Sequence, residues 1–451
     1  MTKDRYHFIG IGGIGMSGLA RIALERGHIV SGSDAAVSSL TKELVNRGAT
    51  VFVGHSASQV PLEAKIVSTS DIKETNVEYL EAKHRGLPCL HRSQMLHELM
   101  KESKALLVAG THGKTTTSSL LAHVLIFAKK DPSYCIGGVV RSLSSQSGHG
   151  NGDLFVAEAD ESDGSFLTYT PYGAIITNID TDHMDYWQTE EKLIQGFVNF
   201  QSKIEKKELF FWCADDSRLV DLSLEGYGYG FSKQAALRIE KFYFKEWESS
   251  FSVSWKGRFY EDILIPLVGV HNILNATAVF GLCMQIGIEE RVIRQAFSSF
   301  QGAGRRSEKK GEVANIVVYD DYGHHPTEVA TTLSGMKAAA SGRRLVVLFQ
   351  PHRYTRTKDC FSLFGPALAE ADLILLTDIY AAREIPIEGI NSCALQREMH
   401  LQGYESIYLP RENVVEDTLA LLQPGDFVVT MGAGDVTEVG PELLRRLARC
   451  E

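Results

Sequence analysis

The seven cysteines of this 451-residue chain form no C-x-x-C pair and no cysteine–histidine spacing of a zinc site. Cys89, Cys135, Cys213, Cys283, Cys360, Cys393 and Cys450 are a sparse, odd-numbered set. They are expected to be reduced thiols of a cytoplasmic protein rather than a disulfide framework. No apolar run approaches the roughly 20 residues that a bilayer-spanning helix needs. No basic-then-apolar leader precedes the first apolar run, which starts at Tyr6. Cationic excess is missing too: 46 Lys and Arg stand against 56 Asp and Glu, a net charge of -10. That argues against nucleic acid as a main partner, because phosphate backbones are held by surplus cations. A mononucleotide, held by a few local donors, stays possible. There is no internal repeat and no low-complexity tract.

What is present is a long alternation of short apolar runs with amphipathic stretches, the pattern of parallel sheets covered by helices. The length exceeds one ordinary core, so two or three domains are expected. Forty glycines suit many tight strand-to-helix turns. The alternation restarts at residues 105–109, after a polar helix at 93–101, and again at 316–320. The stretch 301–311, with three glycines and five charges, reads as a linker. Three α/β units in series follow: 1–103, 104–303 and 304–451. Within the second, 237–265 is aromatic-rich with rough period-two alternation and reads as antiparallel strands.

Gly110-Thr111-His112-Gly113-Lys114-Thr115-Thr116-Thr117 lies between an apolar strand and a helix. A glycine-rich turn at a helix N-terminus aims backbone N–H groups at an anion. Lys114 would reach terminal phosphates and the Thr115 hydroxyl would ligate Mg²⁺. Val108 stands where the usual phosphate-loop pattern has its first glycine. Near the N-terminus, Gly10-Ile11-Gly12-Gly13-Ile14-Gly15 satisfies G-x-G-x-x-G, with Asp34 about 20 residues on. The motif implies a diphosphate beside a ribose without specifying the base; NAD is one reading.

Glu158-Ala159-Asp160-Glu161-Ser162-Asp163 ends an apolar strand, where a nucleotide-dependent enzyme places a Mg²⁺ ligand. Glu158, nearest the strand, is the candidate; the other acids read equally as a solvated turn. His183, in Asp180-Thr181-Asp182-His183-Met184-Asp185, is either a second metal ligand or a capping histidine. His271, Asn272 and Asn275 open a helix, where asparagine is common without a ligand. Arg305-Arg306 is a phosphate-seeking pair or a solvated one. Asp320-Asp321-Tyr322-Gly323-His324-His325 and Gln350-Pro351-His352-Arg353-Tyr354-Thr355-Arg356 end two strands. Their His and Arg density reads as a carboxylate site, since guanidinium grips carboxylate in bidentate fashion, or as a surface basic patch.

Together these segments resemble the Mur ligases of peptidoglycan synthesis over all three sections. The resemblance rests on Gly110–Thr116, Glu158–Asp163, residues 177–185 and His271-Asn272-Ile273-Leu274-Asn275-Ala276. It rests also on Gly10–Met16, Ser31-Gly32-Ser33-Asp34, residues 320–328 and residues 350–357. The phosphate loop with Val108 is the family's own form. The resemblance implies a Rossmann-like UDP-binding domain, a central P-loop ATPase-like domain and a Rossmann-like C-terminal domain. The implied substrates are ATP, UDP-N-acetylmuramate and L-alanine, joined through an acyl phosphate, with Mg²⁺ as cofactor and a monomer or weak homodimer as the assembly.

Residue by residue, it implies that Gly110, Thr111, His112, Gly113, Lys114, Thr115, Thr116, His271, Asn272 and Asn275 hold ATP. Thr115, Glu158 and His183 would hold metal. Lys114, Glu158, His183, Arg306 and Asp321 would be catalytic. Gly12, Gly13, Ile14, Gly15, Met16, Asp34, His55, Ser70 and Ser162 would receive the UDP-sugar. Tyr322, His324, His352, Arg353 and Arg356 would frame the amino acid. One departure concerns residues 139–152, serine- and glycine-rich, where the family carries an asparagine-bearing loop and this chain has none before Asn151. The rival within the family adds a tripeptide to the same nucleotide-sugar. An NAD oxidoreductase would leave Lys114, Glu158 and His183 without a task, and a non-catalytic nucleotide sensor would show no turnover.

Overall fold

The computed structural model describes residues 3–70, 72–245 and 247–449. The chain groups into two compact units: residues 1–240, 252–261 and 274–301 in the first, and 241–251, 262–273 and 302–451 in the second. Six cysteines are free among the described residues; Cys450 lies outside them.

The first sheet is fully parallel. It comprises β1 (Arg5–Ile9), β2 (Ile29–Asp34), β3 (Thr50–Val53), β4 (Lys65–Ser68) and β5 (Cys89–His91), in the order β3-β2-β1-β4-β5. Strand order reverses beside β1, so a crevice opens at the carboxyl ends of β1 and β4. The glycine-rich loop leaves β1 there and enters the helix Ile14–Glu25.

The second sheet has ten strands: β6 (Lys104–Ala109), β7 (Ser133–Val140), β8 (Ser145–Gly148), β9 (Leu154–Glu158), β10 (Gly173–Ile176), β11 (Phe210–Cys213), β12 (Tyr227–Gly230), β13 (Leu237–Lys245), β14 (Glu248–Trp255) and β15 (Arg258–Ile265). Their order is β15-β14-β13-β12-β11-β10-β6-β9-β7-β8. β6 is flanked in parallel by β9 and β10, and Ala105 through Ala109 are all buried. A strand covered on both faces tolerates such an unbroken apolar run. All three strands therefore deliver their C-terminal ends to one edge.

Residues 139–152, expected as a loop, include the end of β7, a turn at Arg141–Leu143 and all of β8, which pairs with β7 antiparallel in an irregular register. The pair packs on the helix Ile14–Glu25. Gln146 donates to the Ser17 hydroxyl (3.3 Å), the His149 N–H donates to Glu25 (2.8 Å), and Arg21 bonds Ser145. A Cβ on Gly18 would already touch Ser147 at 3.4 Å.

In the second unit a six-stranded sheet comprises β16 (Glu308–Val313), β17 (Ile316–Asp321), β18 (Leu345–Phe349), β19 (Leu373–Leu376), β20 (Ile407–Tyr408) and β21 (Phe427–Met431). The order is β16-β17-β21-β18-β19-β20, parallel except for the β16–β17 pair. β16 occupies the end of the stretch expected to be a linker. Trp247 stacks on Tyr319 at 4.1 Å between centroids, and Tyr319 on Phe427 at 4.9 Å. These rings close one face of the sheet.

Candidate active site

The phosphate loop joins β6 to the helix Lys114–Phe127 and depends on two left-handed glycines. Gly110 has φ +121° and Gly113 φ +83°. A Cβ on Gly110 would lie 2.1 Å from the Thr177 hydroxyl oxygen, and one on Gly113 would lie 2.9 Å from the Asn275 amide oxygen. Steric room and backbone angle thus both demand glycine. The loop is braced by the end of β10 and the residues after it. The His112 N–H donates to Asn178 Oδ1 (2.9 Å), Thr177 Oγ1 donates to the His112 carbonyl (2.6 Å), and His112 Nε2 pairs with Asp180 (2.9 Å). Thr177, Asn178 and Asp180 were not among the expected site residues.

Lys114 folds back over the loop, donating to the carbonyls of Gly110 (2.6 Å) and Thr111 (3.0 Å) and to Glu161 Oε2 (2.7 Å). Burial alone would lower the Lys114 pKa, but Glu161, Asp160 and Glu158 outweigh it and raise it, so the ammonium stays charged. Glu161 is buried and its Oε1 has no hydrogen-bond partner among the described residues. Burial pushes its carboxyl up, only partly offset by Lys114 and, more weakly, by His183. Asp160 goes the other way: burial raises it, yet Lys114 and Arg92 bring it down to about 2. Glu161 was readable from sequence only as a member of an acidic turn; its pairing with Lys114 is a product of the turn's path.

Glu158 faces the start of the phosphate-loop helix. It accepts from Thr115 Oγ1 (3.3 Å), Ser118 Oγ (3.1 Å) and the Gly137 N–H (2.8 Å). Thr115 and Glu158, expected to share a metal, are therefore adjacent. His183 sits at φ +57° just before the short helix Met184–Trp187, with Nε2 3.6 Å from Asp182. Trp187 donates to the Glu161 carbonyl at 3.0 Å, which ties that helix to the acidic turn.

In the first-sheet crevice the Gly12 N–H donates to Asp34 Oδ2 at 2.8 Å. His55 Nδ1 lies 2.9 Å from Ser33 Oγ, whose hydroxyl donates to the buried Glu78 at 2.5 Å. Ser70 Oγ is 3.1 Å from His91 Nε2. Ser162 donates its N–H to Asp160 (3.2 Å), and Asp160 accepts from Arg92 at the same distance.

In the second unit, burial pushes Asp321 up to about 6, partly offset by Arg306 and by the N–H groups of Gly323 and Ser307. Arg306 lies over the Tyr322 ring (5.1 Å) and 3.5 Å from Glu328. Arg305 is spent on structure, bonding Asp320 and the Gly432 carbonyl (2.6 Å). Tyr322, His324, His352 and Tyr380 form a ladder of rings at 5.3, 5.5 and 5.7 Å. His352 is brought down to about 3 by burial and by its neighbours His324, Arg356 and Arg353. It is a neutral acceptor amid cations. Arg353, at φ +67°, donates its N–H to Tyr380 (2.9 Å). Tyr380 was not foreseen. His271 is brought down to about 4 by burial and by Arg306, and Asn272 donates to the Val268 carbonyl (2.8 Å).

Comparison with known proteins decides the family. The family models for the Mur ligase catalytic domain, the Mur ligase middle domain and the Mur ligase glutamate ligase domain match residues 5–104, 108–283 and 305–434. The chain belongs to the Mur ligase family. As a Mur ligase it is an ATP-dependent enzyme that forms an amide bond. It is 46% identical over 447 residues to a UDP-N-acetylmuramate–L-alanine ligase of Protochlamydia amoebophila, covering 99% of this chain and 98% of that one. A ligase of the same name from Anaeromyxobacter dehalogenans is 44% identical over 452 residues, with 99% and 98% covered. Among solved structures, the Mur ligase resembles UDP-N-acetylmuramate-alanine ligase of Thermotoga maritima, with TM-score 0.85, 27% identity and coverage of 99% and 100%. It resembles a murein peptide ligase of Psychrobacter arcticus less, with TM-score 0.72, 25% identity and 98% of each chain covered. No helix among the described residues is long and apolar enough to cross a membrane.

Proposed function

We propose that this Mur ligase joins L-alanine to the lactyl carboxylate of UDP-N-acetylmuramate, with ATP cleaved to ADP and phosphate. The supporting observation is the meeting of Lys114 and Thr115 with Glu158 and Glu161 at neighbouring strand ends. That arrangement suits a terminal phosphoryl group and its counter-ion. The site assignment keeps residues 1–103 for the UDP-sugar, 104–303 for ATP and 304–451 for the amino acid. The preference for alanine over a tripeptide draws support from the two full-length relatives named for the alanine reaction.

A carboxylate does not acylate an amine directly, because oxide is its leaving group. Transfer of the γ-phosphoryl group to the carboxylate gives an acyl phosphate, from which the alanine amine displaces phosphate. The protein's part is positioning and charge compensation. Lys114 supplies a fixed positive charge to the phosphoryl oxygens, and the loop N–H groups hold the remaining phosphates. The donor set fits Mg²⁺: a hydroxyl, a carboxylate, and a buried carboxylate oxygen left without a partner are hard oxygen ligands in an acid-rich turn. Thr115 and Glu158 would hold that ion, with His183 at a second position. Bound there, Mg²⁺ would neutralise charge on the transferred group. Arg353, Arg356 and the neutral His352 are the groups assigned to the alanine carboxylate and amine.

Hydroxylamine tests the intermediate. With ATP and UDP-N-acetylmuramate but no alanine, the enzyme should yield the nucleotide-sugar hydroxamate. Hydroxamate formation that ignores the nucleotide-sugar would overturn the assignment. A tripeptide accepted in preference to alanine would favour the recycling reaction.

A further inference from the structure

The glycine-rich loop of the first sheet draws anions: its Gly12 N–H already holds a carboxylate oxygen of Asp34. The amides of Ile14, Gly15 and Met16, in the first turn of their helix, have no acceptor within it. Arg92 opens the helix Arg92–Met100 directly after β5. A cation in a first turn opposes the helix dipole, so this placement costs a little stability rather than adding to it. The guanidinium is half-buried. Its Nη2 is anchored by Asp160 (3.2 Å) and Asp163 (3.7 Å) of the acidic turn. Its Nη1 is turned to the glycine loop: a Cβ on Gly15 would stand 3.9 Å from it.

We infer that Arg92 binds the diphosphate of the nucleotide-sugar, gripping it from the side opposite the loop amides while Asp160 and Asp163 hold the guanidinium in place. The inference rests on the reading of the first sheet as the nucleotide-sugar site. A planar fork with one arm anchored presents its other arm in fixed orientation, which suits two phosphate oxygens better than a mobile ammonium would. It also gives the acidic turn a second task. Asp160 and Asp163 hold Arg92 while Glu161 holds Lys114, so carboxylates of one turn anchor a cation at each of the two anion loops.

Calorimetric titration of the full chain with UDP and with uridine tests this. Arg92→Ala should weaken UDP binding by about tenfold or more, the loss of one charged hydrogen-bonding group, and leave uridine binding unchanged. Arg92→Lys should fall between. In turnover, KM for UDP-N-acetylmuramate should rise in parallel while KM for ATP stays put. Asp163→Asn, which only loosens the anchor, should weaken UDP alone and by less, and it serves if Arg92→Ala fails to fold. Equal UDP affinity in Arg92→Ala and the unaltered chain would overturn the inference. So would parallel loss of UDP and uridine, which marks a purely structural arginine. An unaltered chain that binds neither UDP nor UDP-N-acetylmuramate would instead overturn the nucleotide-sugar reading, and this inference with it.

Discussion

Lys114 answers to two demands, charge for phosphate and a partner for buried Glu161. Removing a single member of a buried ion pair leaves the other uncompensated and costs about 3–5 kcal/mol. Lys114→Ala should therefore abolish turnover and also lower the melting temperature. Lys114→Met combined with Glu161→Gln should restore much of the stability and none of the activity, which separates the two roles in one melting and one turnover experiment. Asp321 offers a pH test. Its carboxyl, pushed up to about 6, is protonated below that value and ionised above it. If the ionised form serves the reaction, activity should fall as pH drops through about 6, and Asp321→Asn should flatten that limb. His271 has the opposite shift, brought down by burial and by Arg306 to about 4 from the ordinary histidine value of about 6.5. Between those values the unfolded chain binds the proton and the folded one does not. Stability is therefore intact above 6.5 and lost as pH falls toward 4, by up to about 3 kcal/mol. Denaturant titrations across that window should lose this slope in His271→Gln.

Among the elements, the phosphate loop is where sequence and structure correspond most directly. Gly110 and Gly113 are legible because their backbone angles and surroundings exclude any Cβ, so the motif is a steric fact. Gly110→Ala should be severely destabilising. Adding Thr177→Ala should not rescue it, because the Thr177 N–H nitrogen and the Asn178 carbonyl remain 2.9 Å from the new methyl. Thermal melts of both variants check this. The β7–β8 pair was illegible for the converse reason. Ser145, Gln146 and Ser147 are buried polar residues, so no apolar period announces a strand. Its register is held by side-chain bonds to the helix Ile14–Glu25 that only the fold brings together. Gly18→Val should press on Ser147, lower stability by about 1–3 kcal/mol and raise protease cleavage within 141–145. β16 was hidden by the charges and glycines that made its segment read as a linker.

For the whole molecule, the α/β class, the three successive sheets and the family were all legible, because apolar strand runs and anion loops recur in order along the chain. Pairings that form across long sequence separations were not legible. Lys114–Glu161, Arg92–Asp160 and the ring ladder from Tyr322 to Tyr380 join residues that no local pattern relates. They are set by which strand ends share an edge, which is a property of topology. In the proposed reaction this chain couples ATP cleavage to amide formation between a UDP-linked sugar acid and alanine. Phosphate release from ATP, with Mg²⁺ and with UDP-N-acetylmuramate and L-alanine supplied singly and together, tests it most directly. Rapid release only when both are present, matched by the alanyl product in the mass spectrum and absent from Lys114→Ala, is the predicted result. Release that continues at the same rate without the nucleotide-sugar, or without any amino acid, would contradict it.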